Sequence, residues 1–287
     1  MTNNIPKQDG NKFILKAGDS VLECTCSNSG RITAFSVDGR NILTGATVNP
    51  FNFGSTFWTS PQSDWDWPPP KAADSEQAWK GTLEGDTVVL EGPPCEKMQL
   101  ALQKRIRADE DRRAMVIDYT MKNMGDTIRK VAPWEISRVG PGGITFFPRG
   151  SATYPPAYQD PLAVEEISGI TWFVHSHDTV TAQHKLFSDG RDGWIAHLEG
   201  GLLFLKSFVP CPADARAPGE SEIEIYAVPE YVEVEQQGAY EPLAPGASRT
   251  WTVTWFLRKL PADLDVRPGS DALIKFIKGI ISTVPFL

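Results

Sequence analysis

The stretch Lys104–Asn123, KRIRADEDRRAMVIDYTMKN, decides the fold class of this chain. Apolar and polar side chains alternate on both sides of a charged centre, which is typical of two antiparallel strands joined by a turn. Similar short runs recur along the chain between turns rich in Gly, Asn, Asp and Pro. They are Lys12–Leu15, Ser20–Cys24, Arg31–Val37, Thr87–Leu90, Met98–Ala108, Ala114–Lys122, Gly201–Phe208, Glu222–Ala227, Tyr231–Gln236 and Ser248–Leu257. The pattern predicts an all-β, mostly antiparallel protein.

The domain organisation follows from the absence of repeats and linkers in the 287 residues. We expect a single β-sandwich domain over residues 1–287, with a flexible N-terminus at 1–10. Apolar residues recur at helical spacing within 270–283, directly after Ser270, whose hydroxyl can cap a helix. This end of the chain is therefore predicted to form a short amphipathic helix.

Two segments, 44–77 and 141–159, carry many proline and aromatic residues and show no strand pattern. We predict long loops there. Loops of this length in a compact domain are more often functional than idle, so both are candidate parts of a site.

Composition limits the classes of binding partner that we expect for this chain. The formal net charge is −8 and the basic residues are scattered, so we expect no nucleic-acid partner. No run approaches the roughly 18 apolar residues that a membrane span needs, and no secretory signal precedes the first strand, so we expect no membrane partner and a cytoplasmic location. The four cysteines include no CxxC pair and are predicted to be free thiols.

The segment Thr56–Pro70, TFWTSPQSDWDWPPP, brings Trp58, Gln62, Trp65 and Trp67 close together in the sequence. Indole faces stack on the C–H faces of a sugar ring, while amides and carboxylates bind its hydroxyls, so this mixture is typical of a carbohydrate site. The alternative interpretation is that these indoles cap one end of the β core.

A second cluster lies on the strand-like run VAPWEISRV, where alternation places Trp134 and Arg138 on one face and Glu135 on the other. A carboxylate in an apolar strand needs an ionic partner or a catalytic role, and the ion pair is the slightly favoured reading for Glu135. In the later run YVEVEQQ, alternation places Glu235 and Gln237 on one face. By itself that pattern favours an exposed polar face.

Several motifs taken together resemble one family. They are the G-x-N-I-L element at Gly39–Leu43, FWTSPQ followed by WPP between Phe57 and Pro69, KNMGD at Lys122–Asp126, and VEQQ followed by PLAPGAS between Val234 and Ser248. In this order they are similar to the galactose-mutarotase-like superfamily of aldose 1-epimerases, and within it to a bacterial family. The resemblance implies a mutarotase-like β-sandwich with a small carbohydrate as its ligand.

The resemblance also implies site residues. Aldose mutarotases use a glutamate base in an E-x-Q strand motif, which Glu235–Gln237 matches, and a histidine acid. The corresponding stretch here has no histidine, and Glu135 stands close to its place. We therefore expect Glu235 as base and Glu135 as acid, with Trp134, Arg138 and Gln237 joining the tryptophan segment in binding the sugar.

Three functions stay open at this point. The first is a sugar epimerase or mutarotase acting on an aldose, a sugar phosphate or a uronate, and the second is a non-catalytic carbohydrate-binding module. The third is a metal-dependent isomerase or lyase using His175, His177 and His184, for which a solvent-facing or hydrogen-bonded pair is the favoured alternative. We expect no metal and no cofactor, and the turn that follows Lys185 reads as a plain hairpin.

Overall fold

The strands of the computed structural model occupy most of the chain between its turns. The structure describes residues 5–74, 77–154 and 160–284. The strands are β1 (Lys7–Asp9), β2 (Lys12–Ala17), β3 (Ser20–Thr25), β4 (Ile32–Val37), β5 (Arg40–Asn41), β6 (Ser55–Ser60), β7 (Lys80–Glu84), β8 (Thr87–Glu91), β9 (Leu100–Asp109), β10 (Ala114–Asn123), β11 (Arg129–Val139), β12 (Ile144–Pro148), β13 (Asp160–Pro161), β14 (Glu165–Ile167), β15 (Ile170–Val174), β16 (His184–Ser188), β17 (Trp194–Glu199), β18 (Leu202–Phe208), β19 (Ile223–Val228), β20 (Tyr231–Gln237), β21 (Glu241–Leu243) and β22 (Ser248–Lys259). One helix, α1 (Asp271–Ile281), and two 3-10 turns, Gln62–Asp64 and Ala213–Ala215, complete the described elements.

These strands form two sheets. The first sheet has the order β1-β2-β3-β4-β6-β11-β20-β19-β16-β13, with β5 beside β4 and β21 beside β11. The second sheet has the order β14-β15-β12-β17-β18-β22-β10-β9-β8-β7. All of the described pairs are antiparallel except β13 with β16. The predicted mostly antiparallel β-sandwich is confirmed, and each predicted strand is present.

The hairpin β9–β10 shows why alternating residues make this sandwich. Ile106 faces Ile117 across the pair, and both side chains are fully buried in the core between the sheets. Their chain neighbours point outward, where Arg107 forms an ion pair with Asp118 at 3.2 Å. Because side chains in a strand alternate between faces, the period of two in the sequence separates core from solvent.

The helix α1 covers the outer face of the second sheet. Leu273 and Ile277 are fully buried in a second apolar cluster that also contains Trp172 and Trp194. The Ser270 hydroxyl accepts a hydrogen bond from the backbone N–H of Leu273 at 3.3 Å, as expected of an N-cap. The predicted amphipathic helix is confirmed. In the described part of the chain, no helix has the length and apolar character needed to cross a bilayer.

Two predictions about irregular segments are wrong in part. The strand β6 runs through the first predicted loop and β12 through the second. In the N-terminus predicted to be flexible, Lys7–Asp9 forms β1 and residues 1–4 lie outside the described residues, so its flexibility stays a prediction. All six residues of β6 are buried. A strand that is buried on both faces need not alternate between apolar and polar residues. The mixed polar and aromatic sequence of β6 therefore does not show a strand pattern.

Candidate functional site

A cavity of about 470 Å³ lies over the centre of the first sheet, on the face that points away from the second sheet. We call it the central groove. Residues of four strands line it, from β6, β20, β19 and β16, and β11 lies between β6 and β20 in the same sheet. The side chains that line it and bear on its chemistry are Trp58, Gln62, Trp67, Lys185, Tyr226 and Glu233.

Strand register brings these residues together from distant parts of the chain. Glu233 of β20 is paired with Arg138 of β11 on one side and with Tyr226 of β19 on the other. Tyr226 is in turn paired with Lys185 of β16. Residues directly opposite each other in an antiparallel pair share a face, so this row of side chains points into the groove or lies just beneath it.

An ion triad lies under the groove. The Lys185 ammonium lies 2.7 Å from Glu224 Oε2 and 2.6 Å from Glu235 Oε1. Trp134 Nε1 donates to the other oxygen of Glu235 at 2.9 Å. Glu235 is only 1% exposed, so Lys185 rather than Glu235 faces the cavity.

Burial sets the protonation of this triad. It raises the pKa of Glu235 to about 8 and that of Glu224 to about 7, although the Lys185 ammonium opposes both shifts. Burial lowers the pKa of Lys185, but the two carboxylates outweigh it and leave that pKa above its ordinary value. Burial therefore favours the protonated form of the two carboxyl groups, while their proximity favours the charged form of the Lys185 ammonium.

Glu233 is fixed in place by a second ion pair. Arg138 Nε donates to Glu233 Oε1 at 2.8 Å, and Arg138 Nη1 donates to the Thr56 hydroxyl at 3.0 Å. The arginine is fully buried, whereas Glu233 reaches the cavity wall. The groove therefore presents a carboxylate whose orientation is set from below.

The comparisons with known proteins concern the fold. No family model and no curated protein matches this sequence. A galactose mutarotase related enzyme from Lactobacillus acidophilus superimposes with a TM-score of 0.60 at 8% identity, covering 88% of this chain and 100% of its own. A galactose mutarotase-like protein from Lactobacillus casei gives 0.57 at 9% identity, covering 85% and 100%.

The chain has the galactose-mutarotase-like fold. A candidate aldose 1-epimerase from Escherichia coli also shares it, with a TM-score of 0.54 at 13% identity over 87% of this chain and 100% of its own. At such identities the likeness concerns the arrangement of strands, and the chemistry has to be argued from the side chains of this chain.

Three of the tryptophans in and beside the first sheet pack against one another. Trp58, Trp65 and Trp134 form a cluster in which Trp58 meets Trp134 edge to face at 5.4 Å and Trp65 at 5.8 Å. Trp65 is 1% exposed, and its Nε1 donates to the Thr59 carbonyl at 2.8 Å. Trp65 and Trp134 therefore lie beneath the groove instead of forming its walls. Trp67 is 61% exposed and stands at the rim.

Glu135 lies on the opposite face of the mutarotase-like sheet from Glu235. It is fully buried between the two sheets, where Lys206 Nζ of β18 lies 2.5 Å from its carboxylate. The hydroxyls of Ser55 and Ser137 also donate to it, at 2.6 and 2.5 Å. The expectation that Glu135 and Glu235 flank one sugar is wrong, because a β-sheet separates them, and the ion pair considered for Glu135 is present.

The two glutamines and the arginine predicted to bind sugar have different positions. Gln62 lines the groove. Gln237 is buried, accepting from Ser60 Oγ at 2.5 Å and donating to Glu224 at 2.8 Å. Together with Arg138 it belongs to the layer that supports the groove, so neither reaches the cavity.

The histidines do not form a metal site in the described part of the chain. No group of three His, Cys, Asp or Glu residues is placed there to hold an ion. His175 and His177 follow the end of β15, with their rings 5.2 Å apart, and His175 Nε2 lies 3.3 Å from the Val228 carbonyl. His184 lies 3.3 Å from the Pro161 carbonyl. His175 therefore makes the kind of hydrogen bond that the favoured alternative predicted.

Sequence reasoning missed several groove residues, above all Lys185. It lies on β16, in a stretch that reads as an ordinary hairpin, and its partners Glu224 and Glu235 lie on β19 and β20. Asn52 and Tyr231, also on the wall, meet through a hydrogen bond of 3.1 Å between residues far apart in the chain. The one local signal was a lysine directly before two apolar residues, Leu186 and Phe187, on a short strand.

Proposed function

We propose that this chain binds a carbohydrate in the central groove. The observation that carries the proposal is the Trp67 indole, 61% exposed, beside a wall that offers an ammonium, a carboxylate and an amide. An exposed indole on a cavity wall offers a large, flat apolar surface next to polar groups. Stacked on the apolar face of a sugar ring, it would bury that surface while the polar wall binds the hydroxyls.

The polar groups of the groove are held in place before any ligand binds. Lys185 is fixed by two carboxylates and Glu233 by the Arg138 guanidinium. Ordered donors and acceptors lose less conformational entropy when they bind a ligand than mobile ones do. This pre-organisation supports recognition of a specific pattern of hydroxyls.

The test is isothermal titration of the protein with a panel of neutral monosaccharides and oligosaccharides. Trp67→Ala should weaken saccharide binding by about 5- to 30-fold, since a stacking interaction of about 1–2 kcal/mol is lost. Ile128→Ala is the matched control, because Ile128 is 68% exposed and does not line the groove. If no saccharide binds, or if both variants bind like the wild type, the proposal is wrong.

A second candidate function is ring opening of an aldose with Glu235 as base. It is favoured by the match of Glu235 to the E-x-Q motif and by its pKa of about 8, which makes the ionised carboxylate a stronger base. With Glu135 on the other face, the proton donor nearest to Glu235 at the groove is Lys185. An ammonium with a raised pKa is a weak acid, and it also covers Glu235, so this function ranks second.

Polarimetry of freshly dissolved aldoses tests the second candidate. An enzyme should speed mutarotation of at least one aldose, and Glu235→Gln should abolish that acceleration while leaving binding measurable. Wild-type protein that is no faster than Glu235→Gln on every aldose would leave binding alone as the function.

A further inference from the structure

A second cavity, of about 630 Å³, adjoins the central groove. We call it the distal cavity. Three residues line both spaces: Asn49, Asn52 and Trp67. A residue that borders two cavities forms a wall common to both, so the two spaces are neighbours along one surface with the exposed Trp67 indole between them.

The distal cavity has the apolar surface that sugar rings stack on. Phe51 is 79% exposed there, and Pro68 and Pro69 follow Trp67 along the same wall. Two large exposed aromatic side chains within one continuous groove are hard to explain in a surface that stays in water. A chain of sugar rings offers an apolar C–H face at each ring, which matches aromatic groups spaced along a groove.

The shared wall also offers polar groups of fixed orientation. Asn49 Oδ1 accepts from the backbone N–H of Phe51 at 3.0 Å and of Asn52 at 2.8 Å. Asn52 Nδ2 donates to the Tyr231 hydroxyl at 3.1 Å. Within the described part of the chain, Asn49 Nδ2 and Asn52 Oδ1 make no hydrogen bond, so one donor and one acceptor remain for a ligand.

The charges around both cavities argue against an anionic ligand. Each buried cation near the groove has its own carboxylate, in the pairs Arg31 with Asp74, Arg138 with Glu233, and Lys185 with Glu224 and Glu235. Glu230 adds an exposed carboxylate to the rim. A phosphate or uronate would therefore be repelled and would find no surplus cation to pair with.

We propose that the ligand is a neutral oligosaccharide of at least two rings, which lies across the central groove and the distal cavity on either side of Trp67. The proposal rests on the carbohydrate binding proposed above and specifies the class of sugar. It also explains why the aromatic surface continues past the strands that carry Lys185 and Glu233.

The test uses three ladders of neutral saccharides, each from monosaccharide to tetrasaccharide: β-1,4-glucosides, α-1,4-glucosides and β-1,4-mannosides. For at least one ladder, Kd from isothermal titration should fall by about 10-fold or more between one ring and three. Glucose 6-phosphate and oligogalacturonides serve as anionic probes and should bind more weakly than their neutral counterparts.

Two variants test which cavity binds which ring of the saccharide. Phe51→Ala, which touches only the distal cavity, should weaken trisaccharide binding by about 5-fold and leave monosaccharide binding unchanged. Gln62→Ala, which touches only the central groove, should weaken both. Because both positions are at least partly exposed, folding should survive, and the urea midpoint checks this.

The outcomes separate the two proposals. A monosaccharide that binds as tightly as every longer saccharide, an anionic sugar that binds better, or a Phe51→Ala variant that binds the trisaccharide like wild type overturns the oligosaccharide proposal and leaves carbohydrate binding intact. If no saccharide of any length or charge binds, carbohydrate binding itself is wrong.

Discussion

Glu135 and Lys206 form an ion pair that no solvent reaches. The Lys206 ammonium also donates to the Val234 carbonyl at 2.8 Å and to Gln236 Oε1 at 3.0 Å, so all of its protons have acceptors. A buried charge is tolerated only when its partners are complete. This pair ties β11 and β20 of the first sheet to β18 of the second and specifies how the sheets face each other.

Lys206→Met should therefore destabilise the protein by about 3–5 kcal/mol, because it leaves the Glu135 carboxylate buried without a cation. Lys12→Met is the matched control. Lys12 pairs with Glu23 at 2.8 Å on the surface, and its loss should cost less than about 1 kcal/mol. Urea unfolding measures both. Equal losses of unfolding free energy in the two variants would show that the buried pair contributes no more to stability than the surface pair.

Glu235 should make stability depend on pH. Burial raises its pKa from the ordinary 4.5 to about 8, so the folded protein keeps a proton that the unfolded chain releases. The free energy of unfolding should then fall as pH rises through this window, because ionisation favours the unfolded chain. Glu224, whose pKa is also raised, acts in the same direction.

Glu235→Gln should flatten this dependence. Between pH 6 and pH 8 the loss in the free energy of unfolding should be smaller than in wild type by an amount on the order of 1–2 kcal/mol. Glu230→Gln, at an exposed carboxylate, serves as control and should keep the wild-type slope. An unchanged slope in Glu235→Gln would mean that the carboxylate is already ionised in the folded protein near neutral pH.

Among the elements, α1 is the one whose limits were clearest from the sequence. Its cap, Ser270, makes two hydrogen bonds: it accepts from the Leu273 N–H at 3.3 Å and donates to the Asp265 carbonyl at 2.7 Å. Ser270→Ala should lower the free energy of unfolding by about 1 kcal/mol. Ser282→Ala, at the other end of α1, is the control in thermal unfolding and should have a smaller effect. Equal effects would argue against a capping role for Ser270.

The strands divide by how many of their faces are buried. In β9, and in β10 from Ile117 onward, one face meets the core and the other is at least partly exposed, so alternation is visible in the sequence. In β6 and β20 every residue is buried, since one face meets the core and the other supports the groove. β20 still alternates, because its groove face carries glutamates. β6 places Trp58 on the groove face between two hydroxyl residues and was predicted as a loop.

At the scale of the whole molecule, the net charge of −8 has little bearing on the groove, whose cations are neutralised locally. The Kd of a neutral saccharide should change by less than about 2-fold between roughly 0.05 M and 0.5 M salt. A neutral ligand makes no charge–charge attraction with the groove that salt could screen. Isothermal titration at the two salt concentrations measures this. Affinity that falls several-fold as salt rises would show that the ligand contributes an opposite charge.

The confirmed predictions concern local structure. Alternating hairpins, turns and a capped helix depend on residues a few positions apart, so they can be recognised from the sequence alone. Three residues of the segment predicted to bind sugar, Trp58, Gln62 and Trp67, line the central groove, and their role in binding stays a prediction. Trp65 could not be told apart from these, because its burial depends on Trp134, a residue of another strand.

The decisive features of the site depend on register between strands that are far apart in sequence. Glu135 pairs with Gln236, and Ile136 with Glu235, so the two glutamates point to opposite sides of one sheet. A shift of one residue in that register would have placed them on the same side. Such a register is set by packing of the whole sandwich. It placed Glu135 and Glu235 on opposite faces and Lys185 over Glu235, so that Glu235 belongs to an ion triad beneath the central groove.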